Sequence, residues 1–113
     1  MVWTDRELVD TVKRLAAPAE EQVAYVRQLG SAPVVDELAL EFDDEFVRLR
    51  DTDAGGSVPA PYLEALKELE VQLKRMSGPE NAELWVEDAL ARPEWRTVRD
   101  LARRALAERP RGL

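Results

Sequence analysis

Seven prolines punctuate this 113-residue chain, and their placement constrains the fold more than any other feature. Proline is tolerated in the first turn of a helix, where its missing N–H would lack an intrahelical acceptor, and is disruptive further in. Five of the seven, Pro18, Pro33, Pro61, Pro79 and Pro93, stand just before apolar residues spaced at the period of an α-helix. The expected fold is therefore all-α: a single compact domain over residues 1–113, built from five or six short antiparallel helices, with one flexible loop at about residues 51–60.

The first helix has its own start signal. Thr4 and Glu7 have the spacing of a capping box, and Trp3 and Leu8 the spacing of a hydrophobic staple. Leu8, Val12 and Leu15 continue at helical steps to about Ala17. The second helix, after Pro18, carries Val23, Val26 and Leu29 and ends at Gly30. The third carries Val35, Leu38, Phe42, Phe46 and Leu49, at steps of 3, 4, 4 and 3. Leu38, Leu40 and Phe42 also alternate like a strand, but the longer run favours a helix to about Arg50.

Asp51 to Ala60 is rich in turn formers. The fourth helix then repeats Tyr62, Leu66, Leu69, Leu73 and Met76, a two-heptad seam. A fifth helix is expected with Ala82, Trp85, Val86, Ala89 and Leu90, and a sixth with Trp95, Val98, Ala102, Ala105 and Leu106. Helices three and four should form the central hairpin, their two seams facing each other. The Trp and Phe residues fall on or beside the apolar stripes, as core residues should.

Residue types that are missing exclude much chemistry. With no Cys there is no disulfide, thiolate nucleophile or Cys-ligated metal. With no His there is no imidazole base. Ser31 and Ser77 suit helix breaks, and Gly55-Gly56 lacks the Lys-Ser/Thr of a phosphate loop. Neither a catalytic constellation nor a cofactor motif is present, so a non-enzyme without cofactor is expected. No apolar run is long enough to span a membrane and the N-terminus lacks a leader pattern, so a cytoplasmic location without membrane contact is expected. The Arg bias, 13 Arg to 3 Lys, with abundant Ala, fits a GC-rich bacterial genome.

Two metal-binding patterns are partial. Counting an EF-hand loop from Asp51 puts Asp53 at position 3, Gly56 at 6 and Val58 at 8. Position 5 is Gly55 and position 12 is Tyr62, where oxygen ligands belong, so a plain inter-helix loop is the better reading. Glu41 and Asp44 have the E-x-x-D spacing of Mg²⁺-dependent all-α nucleotide pyrophosphatases, with Glu80, Glu83 and Glu87 as a second acidic stripe. The companion E-E-x-x-E is missing, since Glu20-Glu21 leads to Ala24. The helical wheel turns Glu37, Glu41 and Asp44 away from the apolar stripe, toward water. Such a carboxylate-metal enzyme is the first alternative function.

Charge is unevenly distributed. The net −7 divides into −11 over residues 1–91 and +4 over residues 92–113. Arg92, Arg96, Arg99 and Arg103 step by 4, 3 and 4 along one face of the last helix. A nucleic-acid regulator using this ridge is the second alternative, opposed by the acidic remainder. The third helix holds six acidic residues from Asp36 to Glu45, with Leu40 and Val47 seven apart and off the main stripe. Glu37, Leu40, Glu41, Asp44 and Val47 are thus the leading partner-binding candidates, joined by the four arginines. The expected function is a protein-interaction module, an acidic adaptor or inhibitor that covers a basic partner surface. Small acidic immunity and antitoxin proteins are the class analogy.

Overall fold

A computed structural model describes residues 6–29, 35–52 and 58–109. It is all-α: α1 (Arg6–Ala16), α2 (Ala19–Gln28), α3 (Asp36–Thr52), α4 (Ala60–Arg75), two 3₁₀ segments (Pro79–Trp85 and Glu87–Ala91) and α5 (Pro93–Glu108). The described residues contain no strand. The Trp3–Thr4 capping signals, Gly30 and Pro33 lie outside the described residues.

The apolar stripes become one core. Leu8, Val12 and Leu15 of α1, Leu38, Phe42 and Phe46 of α3, Tyr62, Leu66 and Leu69 of α4, and Trp95, Val98 and Ala102 of α5 are all buried. Phe42 and Phe46 stack with ring centroids 5.5 Å apart. α2 is the least embedded helix. Val26 is buried, but Val23 only half so, and Leu29 is exposed rather than on the core face.

α5, not the α3–α4 hairpin, is the central element. It packs along both α1 and α4, whereas α3 packs mainly on α1 and approaches α4 at few positions. Side-chain size explains the difference. Ala102 and Ala105 let neighbouring backbones come close to α5. The bulky Phe42, Phe46 and Tyr62 on the α3 and α4 seams hold those two helices apart and leave a groove between them.

The expected fifth helix is two 3₁₀ segments instead. Val86 breaks between them in extended conformation (φ −108°, ψ 158°) and is exposed, while Leu84 takes the buried position. The cause is local competition for the backbone. Asn81 is non-helical, and its Nδ2 donates to the Arg75 and Ser77 carbonyls at 3.2 and 3.0 Å. Pro93 excludes a helical conformation at Arg92 and closes the segment from the other end. Two indoles pin it: Trp85 Nε1 donates to the Met76 carbonyl at 2.6 Å, and Trp95 Nε1 to the Leu84 carbonyl at 2.7 Å.

The 51–60 loop is shorter than expected. α3 continues through Asp51 and Thr52, and Val58 and Tyr62 are buried in the core. Asp53, Gly55 and Gly56 lie outside the described residues. Tyr62, at the twelfth position of the EF-hand count, is a core side chain rather than a ligand.

Candidate functional site

Three strips run along α3, set by the helical repeat. The first is the core strip already described. The second carries Glu37, Glu41 and Asp44, and it does not simply face water. Glu41 is half-buried against α1 and α2. Its carboxylate accepts from Arg14 Nη1 at 2.8 Å and from the Tyr25 hydroxyl at 2.7 and 2.8 Å to its two oxygens. The Arg14 guanidinium also lies over the Tyr25 ring, 4.7 Å from its centroid. Partial burial, and then the Glu41 carboxylate, hold the Tyr25 hydroxyl above its ordinary value of 10.0. Glu37 is half-buried and adds to that shift, while Asp44 is exposed on the rim of a cleft lined also by Glu7, Asp10, Arg14, Glu41 and Glu45. Sequence spacing alone hid this, because the partners of Glu41 are 27 and 16 residues away.

The third strip is Asp36, Leu40, Asp43 and Val47, at steps of 4, 3 and 4. It alternates acid and apolar groups. Leu40 is 52% exposed and Val47 39%, so neither is taken up by another helix of the domain. Leu40 forms one wall of the groove between α3 and α4, with Asp43, Glu70, Leu73 and Lys74 along it. The same groove widens at the end of α4 into a notch of about 460 Å³ between Asp36, Ala39 and Leu40 on one side and Ala82 and Trp85 on the other. The fixed spacing of Asp36 and Asp43 beside Leu40 was present in the sequence. What it could not show was which flank of α3 would be covered by α1 and α2.

The four arginines do not form one free ridge. Arg99 is buried, and its Nη1 donates to the Leu90 carbonyl at 2.8 Å and the Gln22 Oε1 at 3.2 Å. Burial, followed by the neighbouring charges of Arg103 and Arg96, lowers its affinity for the proton. Arg103 Nε donates to the Ala16 carbonyl at 3.1 Å. Gln22 Nε2 donates to the Arg14 and Leu15 carbonyls, both at 3.1 Å. Together Gln22 and Arg103 satisfy the last carbonyls of α1, where the helix dipole favours a cation. Arg99 is therefore structural, while Arg92, Arg96 and Arg103 are exposed, Arg103 with its Nε held at the end of α1.

The second acidic stripe is not on one α-helical face, because Val86 breaks the segment between Glu83 and Glu87. Glu87 is paired with Arg27. Among the described residues, no group of three or more carboxylates is arranged to hold a metal ion. No described helix is long and apolar enough to cross a membrane.

No protein-family model, curated protein or solved structure matches this chain.

Proposed function

We propose that this chain is a non-enzymatic cytoplasmic protein-interaction module, an acidic adaptor or inhibitor of the immunity-protein kind, and that the Asp36/Leu40/Asp43/Val47 strip of α3 docks on a basic partner. The observation that carries this reading is the exposure of Leu40 and Val47 side by side on a helix bearing six acidic residues. Large apolar side chains left in water beside like charge gain most from a partner that covers the one and neutralises the other. The −11 over residues 1–91 would draw a basic protein toward this face at long range, and more strongly at low salt.

Glu37 and Glu41 have a lesser part in this account. Glu41 is engaged by Arg14 and Tyr25 and orients α3, so the docking acids are Asp36 and Asp43. The test is capture on the immobilised chain from a cell extract, run with variants. The wild type should retain a basic protein that elutes with salt. Leu40→Asp and the Asp36→Lys/Asp43→Lys pair should both lose it, while Glu37→Gln and Arg96→Glu should keep it. Capture that survives Leu40→Asp would overturn the assignment.

A further inference from the structure

We infer that the notch between Leu40 and Trp85 is the anchor pocket of this surface, and that it takes one large apolar side chain from a basic amphipathic segment of the partner. The inference rests on the docking reading above and specifies its chemistry.

The notch is open because its walls are small. Ala39, Ser77, Gly78 and Ala82 line it, and among the described residues that line it Asp36 alone is ionisable. Its 460 Å³ lies within the range of pockets that hold a substantial apolar group. Leu40 offers one apolar wall and the half-buried Trp85 ring the other. The Trp85 ring is already fixed before any partner arrives. Its Nε1 donates to the Met76 carbonyl, and its edge meets Trp95 with centroids 5.3 Å apart and planes at 83°. A preset aromatic wall loses little freedom on binding, which is what an anchor site requires.

The notch is continuous with the α3–α4 groove, since Ala39, Leu40 and Ser77 line both. Asp36 stands at the notch and Asp43 in the groove, seven residues on and roughly 10 Å along the helix axis. Those two carboxylates select cations on either side of the inserted side chain. Lys74, on the opposite wall of the groove, is held toward Glu70 at 3.7 Å and so opposes these cations only weakly. The occupant this arrangement fits is a Lys- or Arg-rich helix with a Leu, Met or Phe on its apolar face.

The probe is a pair of synthetic Lys-rich amphipathic peptides of equal charge, free of Trp and Tyr, one with Leu and one with Ala at the anchor position. Binding is followed by the Trp85 indole N–H resonance, assigned with Trp85→Phe, and by titration calorimetry at low and high salt. The Leu peptide should bind at least tenfold more tightly and move the Trp85 resonance. Ala82→Leu, an exposed position that fills the notch, should erase the difference between the peptides while leaving the salt-dependent binding of the Ala peptide. Equal affinities with an unmoved Trp85 resonance would overturn the anchor pocket and leave the acidic docking surface standing. Failure of both peptides to bind at low salt would overturn the docking surface, and the anchor pocket with it.

Discussion

The Tyr25 hydroxyl donates to the Glu41 carboxylate at 2.7 Å, and that contact, with Arg14 beside it, decides which flank of α3 is free. α2 is fastened over the Glu37/Glu41 side, so the opposite strip with Leu40 and Val47 is the one left to a partner. Tyr25→Phe removes the donor but keeps the Arg14–Glu41 pair. The expected cost is about 1 kcal/mol, read as a fall of roughly 4 °C in Tm.

The same residue gives a pH dependence of known sign. Folding raises the Tyr25 value above 10.0, through burial first and Glu41 second. An acid whose folded value is raised contributes its stability fully below its unfolded value and loses it as pH rises through the folded one. The advantage of wild type over Tyr25→Phe should therefore be constant from neutral pH to about pH 9 and shrink above it, as the unfolded tyrosine begins to ionise. Paired thermal melts across that range measure it, and an advantage that grew in alkali would contradict the assignment.

Arg99 and Arg96 separate structure from surface on α5. Arg99→Ala leaves the Leu90 carbonyl and Gln22 Oε1 without their donor in a buried site, at an expected cost of about 2–3 kcal/mol. Arg96→Ala, on the exposed side of the same helix, should stay within about 0.5 kcal/mol of wild type. Urea denaturation of the two variants makes the comparison.

Phe42 tests the core. It is fully buried and stacked on Phe46, so Phe42→Ala should cost about 3–5 kcal/mol. Phe42→Asp and Leu66→Asp place a carboxylate where no cation is provided and should unfold the domain. Helical circular dichroism and a melt like those of wild type, for either Asp variant, would disprove the core assignment.

Gly78 has φ +107° and ψ 156°, a conformation that only glycine adopts readily. Gly78→Ala should cost about 1–3 kcal/mol. Its added Cβ would also meet Glu80 Oε1 at 2.8 Å, but that is the end of a flexible side chain that can move away. Most of the loss should therefore persist in Gly78→Ala/Glu80→Ala, measured by thermal denaturation.

The helices were legible because prolines and apolar spacing are local signals. Pro18, Pro61 and Pro93 stand at or next to helix starts, and the Tyr62–Leu66–Leu69–Leu73 seam is buried as its period requires. Packing order was not local. The size contrast that places α5 at the centre, Ala102 and Ala105 against Phe42 and Phe46, matters only once all the helices compete for neighbours. The same holds at the site. Leu40 and Val47 were visible as an off-stripe pair, but Glu41 looked as free as Asp44 until Tyr25 and Arg14 came to cover it. Trp85 looked like an ordinary core residue, because the side-chain bonds of Asn81 that remake its segment as 3₁₀ turns are not periodic.

Site-directed photocrosslinking in native cells tests whether the Leu40/Val47 strip is the docking face. A benzophenone amino acid is placed singly at Leu40, Val47, Glu37 and Asp10, all outside the fully buried core. Positions 40 and 47 should give an adduct with the same basic protein, lost when Asp36 and Asp43 are both changed to Lys, and positions 37 and 10 should not. Adducts of equal yield from all four positions, or from 37 and 10 alone, would contradict it.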